Sequence, residues 1–312
     1  MSVAIQYFKA LSDETRVRLL CILRQHELSV NELVTILAMG QSRVSRHLKI
    51  LTEAGLLHSR RDGLWVFYSA VSVGPAFEFM EAVFPFISAH SDLRSDMDMA
   101  WRMIDERTLK TRQFFNAIAE DWDALNREVL GGFDLARAVC EAMPAHCGLA
   151  VDLGCGTGSV LERMLEQAHG VIGVDGSSRM LEMARHRFAP EYMGDEGRVS
   201  LRIGELDHLP LRDGEANFAC INLVLHHLSA PSVAVEEIHR ILAPAGLVLV
   251  TDFDKHDVER MRSEYGDRWL GFDSSALSAL LEASHFRICH IQHQPVEKGL
   301  TLVLVLAEKI VL

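Results

Sequence analysis

Leu149-Ala-Val-Asp-Leu-Gly-Cys-Gly-Thr-Gly158 decides how the second half of this chain folds. An apolar run ends in an acidic residue and passes into three alternating glycines. Ser159–Ala168 follows with helical periodicity. Strand, glycine turn and helix in that order open a nucleotide-binding α/β domain. A phosphate loop needs a Lys and a Ser or Thr after its glycines, and here Ser159-Val160 follow. A dinucleotide fingerprint is G-x-G-x-x-G, whereas this turn is G-x-G-x-G. Asp152 stands just before the turn, poor company for a pyrophosphate and good company for an ammonium group. The expected ligand has an amino-acid end and no phosphate.

The downstream pattern continues such a domain. A second strand, Gly170–Asp175, ends in a carboxylate about 20 residues after the glycine turn, within reach of both hydroxyls of a ribose. A third, Val199–Gly204, leads into Glu205-Leu-Asp-His-Leu-Pro210. Glu205 or Asp207 would accept an adenine amino group, and the Leu206 amide would meet a ring nitrogen. A fourth, Phe218–Leu225, delivers Asn222 and then His226-His227 to the edge where ligands of open α/β sheets sit. The two histidines read either as a general base or as support for the pocket. Trp269 and Phe272 read either as a lid or as plain burial.

Val151-Asp-Leu-Gly-Cys-Gly-Thr-Gly158, Val174-Asp175, Gly204-Glu205, Leu209-Pro210, Leu225-His-His-Leu228 and Leu242-Ala-Pro-Ala-Gly-Leu247 together resemble the class I S-adenosylmethionine-dependent methyltransferases, over about residues 112–312. The resemblance implies a Rossmann-like, seven-stranded α/β sheet closed by an antiparallel hairpin, for which Arg287–His293 and Leu300–Leu306 are candidates. It implies S-adenosylmethionine or S-adenosylhomocysteine held by Trp122, Asp152, Gly154, Cys155, Gly156, Asp175, Gly176, Met180, Gly204, Glu205, Leu206, Asn222, Leu223 and His226. Asn217 departs from the aspartate that usually begins the fourth strand. No residue is assigned a catalytic role.

The first half follows another plan. Asp13 or Ser12 can cap a helix over Glu14–Leu23, and Ser29 with Glu32 forms a capping box for a short helix ending at Leu37. Gln41–Leu51 then turns Val44, Leu48 and Leu51 inward. Its outer face offers Gln41, Ser42, Arg43, Ser45, Arg46 and Lys49. Leu56–Arg61 and Leu64–Ser69 alternate around Asp62-Gly63, a hairpin signal. Arg60 and Arg61 on that hairpin suit phosphate or a minor groove. Helix, turn, basic helix and basic hairpin are a winged helix-turn-helix for double-stranded DNA. The whole chain carries −12 at neutral pH, yet residues 41–61 hold five cations against Glu53 alone. That asymmetry suits a DNA-reading domain joined to a domain that does not touch DNA.

Phe8–Leu20, Ser42–Leu51 and Glu53-Ala-Gly-Leu56 resemble the winged-helix ArsR/SmtB repressors, over about residues 4–72. That family implies a homodimer built on the first helix and a helix after the wing. Pro75–Ser88, rich in Phe77, Phe79, Met80, Val83, Phe84 and Ile87, would supply the latter. Glu32–Ala38 lacks the cysteine pair of the arsenic sensors, and His90 and Asp92 match the zinc-sensor ligands poorly. No metal site is expected.

The length of 312 residues suits two domains, and apolar content of 49% against 24% charged excludes a disordered chain. Six cysteines without a CxxC pair suggest free thiols in a reducing compartment. With no signal pattern and no apolar run of bilayer length, a cytoplasmic protein without a membrane partner is expected. The expected organisation is a winged-helix domain over 1–90, a helical linker and cap over 91–130, and a cofactor domain over 131–312. The linker holds neither glycine nor proline, so one or two stiff helices are expected. Phe114–Asp123 resembles the helix that caps the cofactor in small-molecule methyltransferases. The pairing of domains resembles the S-adenosylhomocysteine-responsive ArsR-type repressors of methionine-cycle genes. It implies a transcriptional regulator sensing an adenosyl ligand. The alternative is a small-molecule methyltransferase that represses its own gene, and a third reading is a structural domain with a vestigial pocket.

Overall fold

The computed structural model describes residues 3–87, 91–193 and 197–311. His90 and the side chains of Ile87 and Asp92 lie outside the described set. The chain forms two compact units, 1–108 and 109–312.

The first unit opens with α1 (Val3–Leu11) and α2 (Glu14–Gln25). Asp13 caps α2, its carboxylate accepting from the Arg16 amide at 3.1 Å. β1 (Leu28–Ser29) precedes α3 (Val30–Leu37), where Glu32 Oε2 accepts from the Ser29 amide at 2.8 Å. Ala38 in the left-handed region ends α3, and α4 (Gln41–Glu53) follows after a short turn. Leu19, Leu33, Val44, Leu48 and Leu51 are fully buried in one core, as the helical spacing requires. β2 (Leu57–Asp62) and β3 (Trp65–Ala70) form an antiparallel hairpin, and β1 pairs with β3 on its other side.

The register of that hairpin corrects the sequence expectation by one residue. Asp62 pairs with Trp65, so Gly63 and Leu64 make the turn rather than Asp62 and Gly63. Gly63 takes φ +55. Asp62 is fully buried and accepts from Arg60 Nη1 at 2.8 Å, which draws it into the ladder. α5 (Pro75–Ile87) and α6 (Ser91–Ile118) complete the helices named so far. The division between the units falls inside α6.

The second unit adds α7 (Trp122–Leu130) and α8 (Leu135–Ala142), then β4 (Cys147–Leu153), α9 (Ser159–Met164), β5 (Ala168–Asp175), α10 (Ser178–Arg185) and β6 (Val199–Ile203). It continues with β7 (Ala216–Asn222), α11 (Pro231–Ile241), β8 (Leu242–Phe253), α12 (Arg260–Glu264), α13 (Ser274–Ala283), β9 (Phe286–Pro295) and β10 (Thr301–Lys309). The seven strands run β6-β5-β4-β7-β8-β10-β9. β10 pairs antiparallel with both neighbours, and β4 to β8 are parallel. This is the expected sheet with its closing hairpin. Side chains alternate between two cores: Leu249 enters one, and Val248 and Val250 the other. The order reverses beside β4, so the C-terminal ends of β4 and β7 open a crevice. Five of the six cysteines are buried, and Cys289 on β9 is exposed.

Candidate functional site

The crevice begins at the glycine turn. Gly154, Gly156 and Gly158 take φ of +71, +51 and +81, which side chains resist. A Cβ on Gly154 would stand 2.5 Å from Val224. One on Gly156 would meet Trp122 Nε1 at 3.1 Å, so the Trp122 indole lies over the turn. Phe115 packs edge-on against Trp122 and against His227, with ring centroids 5.4 and 4.8 Å apart. The α6–α7 junction therefore places two aromatic side chains at the glycine turn.

Below the turn, Asp152 is 2% exposed and its Oδ1 accepts from the Cys220 thiol at 3.3 Å. Burial first, then the Asp175 charge, pushes its pKa up to about 7. Asn222 lies close enough to Asp152 to pull that value back slightly. Both amide atoms of Asn222 are buried, and neither makes a hydrogen bond of normal geometry. A carboxylate and an unpaired amide side by side offer an acceptor for an ammonium group and donors for a carboxylate. Leu223, next in the chain, takes φ +57 and donates its amide to Thr251 O at 2.7 Å. A left-handed leucine at a strand end marks a held, strained turn.

Asp175 ends β5, where its carboxylate accepts from the Gly156 amide at 2.9 Å and the Ser177 amide at 2.8 Å. Burial and the Glu205 charge raise its pKa against those two bonds. Gly176 sits close beneath Glu205, whose carboxylate oxygens would lie 3.6 Å from an added Cβ. Glu205 in turn pairs with Arg112 of α6, a partner the sequence did not suggest. Asn116, also unforeseen, accepts from the Ser177 hydroxyl at 2.7 Å. Both sit in a charged helix where nothing in spacing sets them apart.

Several expected residues meet the crevice through backbone alone or not at all. Cys155 turns its thiol inward, against Gly173 of β5. Met180 is buried, and its amide donates to the Ser177 hydroxyl at 3.0 Å. Gly204 is glycine because a Cβ would strike Pro210 at 2.6 Å. His226 does not face the crevice as a free ligand: its Nδ1 lies 2.7 Å from Asp252 Oδ1, and its Nε2 lies 3.5 Å from Asp267 Oδ1. Burial works against a charged ring there, but the two carboxylates outweigh it and hold the pKa up at about 9. His227 is pushed well down by burial and by His226. Trp269 is buried with its indole N–H donating to Leu228 O at 2.7 Å, so its lid reading gives way to packing. Leu206 is half-buried beside Glu205.

The second candidate surface is α4. Gln41, Ser42, Arg43, Ser45, Arg46 and Lys49 are all exposed, while Val44, His47 and Leu48 are buried. Lys49 pairs loosely with Glu53 at 3.7 Å. Arg61 is exposed on the wing. Arg60 departs from expectation: its guanidinium is tied to Glu27 at 3.2 Å and to buried Asp62 at 2.8 Å, and lies over the Phe67 ring. It fastens the wing instead of standing out for phosphate. On α5, Met80 is buried and Phe79 packs on Tyr7 and Phe8, so these aromatics serve the monomer as well. Phe8 and Phe86 remain 60% and 84% exposed.

Comparison with known proteins agrees with this division. Residues 13–59 match the bacterial regulatory protein, arsR family, and residues 151–250 match the methyltransferase domain family. The chain thus carries an ArsR-type DNA-binding domain joined to a methyltransferase domain. Over 20% of its length and 48% of the relative's, it is 52% identical to the arsenic resistance transcriptional regulator ArsR1 of Pseudomonas putida. Over 46% of its length and 62% of the relative's, it is 33% identical to the ubiquinone/menaquinone biosynthesis C-methyltransferase UbiE of Syntrophotalea carbinolica. In structure, 67% of the chain matches 91% of the 1,6-didemethyltoxoflavin-N1-methyltransferase of Burkholderia thailandensis, at 23% identity and a TM-score of 0.54. That likeness bears on the fold. The chain spans about half the length of the curated relatives it matches. Among the described residues, no helix is long and apolar enough to cross a membrane.

Proposed function

We propose that this chain is a DNA-binding transcriptional regulator, acting as a repressor in the cytoplasm, whose methyltransferase domain binds S-adenosylmethionine or S-adenosylhomocysteine as its effector. The observation that carries the reading is the pairing of buried Asp152 with the orphaned Asn222 amide under a glycine turn, in a chain that also presents the α4 row. The residues present fit the group. Asp152 and Asn222 would take its amino-acid end, the backbone of Gly154–Gly156 its path, Asp175 its ribose, and Glu205 with the Leu206 amide its adenine. When bound, S-adenosylmethionine supplies an electrophilic methyl on a sulfonium, and its product lacks both methyl and charge. Phe115 and Trp122 beside the turn would favour the cationic form.

Sensing is preferred to catalysis because the base-type side chains at this sheet edge are engaged elsewhere. His226 is sandwiched by two carboxylates, and His227 holds Gly266 O through Nδ1 at 3.1 Å. A homodimer through α1 and α5, with α4 in successive major grooves, completes the proposal. The ligand must bind the DNA-free form more tightly than the DNA-bound form, or nothing shifts. The test is operator affinity of the full chain with each adenosyl ligand added, alongside mass-spectrometric monitoring of methyl loss. A several-fold weakening of DNA binding without turnover supports regulation. Operator binding indifferent to both ligands would sink it.

A further inference from the structure

The reading above gives the buried carboxylates around His226 no ligand of their own. Asp252, at the end of β8, is fully buried. Its Oδ1 lies 2.7 Å from His226 Nδ1, and its Oδ2 accepts from the His226 amide at 3.2 Å. Asp252 thus fixes both the rotamer and the tautomer of the ring, leaving Nε2 as the outward atom. Asp267, on the segment after α12, is 4% exposed. Neither of its carboxylate oxygens has a hydrogen-bond partner, and its contact with His226 Nε2 is long at 3.5 Å. The His227 ring lies beside His226 with centroids 4.0 Å apart and planes tilted by 52°. One nitrogen of each ring and one Asp267 oxygen all lie within 4.8 Å of one another.

We propose that His226, His227 and Asp267 form a binding site for a first-row divalent metal ion of the zinc type. Two imidazoles and a carboxylate are a donor set such ions accept, with a coordination position left open. Charge argues the same way. Two buried carboxylates flank His226, and one proton on that ring compensates only one of them; the Arg262 charge also reaches Asp267 but makes no hydrogen bond to it, whereas a divalent cation would compensate both directly. The second shell is already built. A ligating histidine almost always hands its other N–H to a carboxylate or carbonyl, which is what Asp252 receives from His226. The ion would pin the segment carrying Asp267 to the ends of β7 and β8, beside the aromatic pair at the glycine turn. It would not require a cysteine, so the cysteine pattern of the chain is silent on it.

The experiment is titration of metal-free, full-length protein with Co2+, read by ligand-field absorption and displaced with Zn2+. One equivalent is expected, with bands of a low-coordinate nitrogen–oxygen site. Asp267→Asn, nearly isosteric, and His227→Gln are each expected to weaken uptake at least tenfold, with fold checked by circular dichroism. His293→Gln, on exposed β9, is expected to leave it unchanged and so separates this site from adventitious surface histidines. The wild-type titration stands independently of whether either variant folds. Absence of stoichiometric uptake by the wild type overturns the proposal, and so does uptake of wild-type strength in folded Asp267→Asn and His227→Gln.

Discussion

Asp152 shows what a single buried carboxylate does to a binding site. Its pKa of about 7 means that near neutrality the empty site is partly protonated. An ammonium partner needs the ionised form, so binding must expel that proton. Affinity for either adenosyl ligand is therefore expected to fall as pH drops, by about tenfold between pH 8 and pH 6. Calorimetric titrations across that range check it, and a flat profile would mean that Asp152 is not the ammonium partner. Asp152→Asn should weaken binding by about 1.5–3 kcal/mol, the scale of one charge-assisted hydrogen bond. The same change should raise the thermal stability of the empty protein. The folded pKa is raised by burial, so the carboxylate's penalty on folding grows as pH climbs from the unfolded value to the folded one and is fully present above it. Gly154→Ala brings a different penalty. With φ +71 and Val224 in the way, it should abolish ligand binding while costing about 1–3 kcal/mol of stability.

Among the elements, the wing separates two arginines that the sequence treats alike. Arg61 is exposed, whereas Arg60 is bound to Glu27 and Asp62. Arg61→Ala should weaken operator binding and reduce its salt dependence by about one phosphate contact. Arg60→Ala should remove the 2.8 Å ion pair to buried Asp62. Because Arg60 is itself about one-third exposed, the expected loss is discounted to roughly 1–2 kcal/mol of stability. Melting curves and salt-dependent binding together check both. Neighbouring Arg and Arg in an alternating strand gave no way to tell these roles apart; the difference depends on Glu27, more than thirty residues away. Periodicity served better on α4, where a 3.6-residue repeat must put Val44 and Leu48 inside and Arg43 and Arg46 outside. The hairpin turn slipped by one residue because Asp62, usually a turn former, is claimed by an internal ion pair.

At the scale of the molecule, the seven-stranded sheet and its hairpin followed from the resemblance, and the crevice was legible because three strands end at or beside a residue of distinctive chemistry: Asp152, Asp175 and Asn222. The partners of those residues were not legible. Arg112 on Glu205, Asp252 and Asp267 on His226, and Asn116 on Ser177 are assembled by tertiary folding across 26 to 93 positions. Linkage makes the proposed regulation symmetrical. If an adenosyl ligand weakens operator binding by some factor, saturating operator DNA must weaken ligand binding by the same factor. Unequal factors, measured on one preparation, would mean that ligand and operator are not linked in one reversible equilibrium. The distribution of cysteines has a further consequence, in chemical reactivity. Cys155 and Cys220 lie under the crevice with their thiols held well above the ordinary value by burial, so thiolate is scarce there. An aromatic disulfide reagent should therefore titrate Cys289 at once and the other five sulfhydryls only as the fold opens. Their delayed reaction becomes a clock for opening, and an adenosyl ligand that binds only the folded form should slow it in proportion to occupancy.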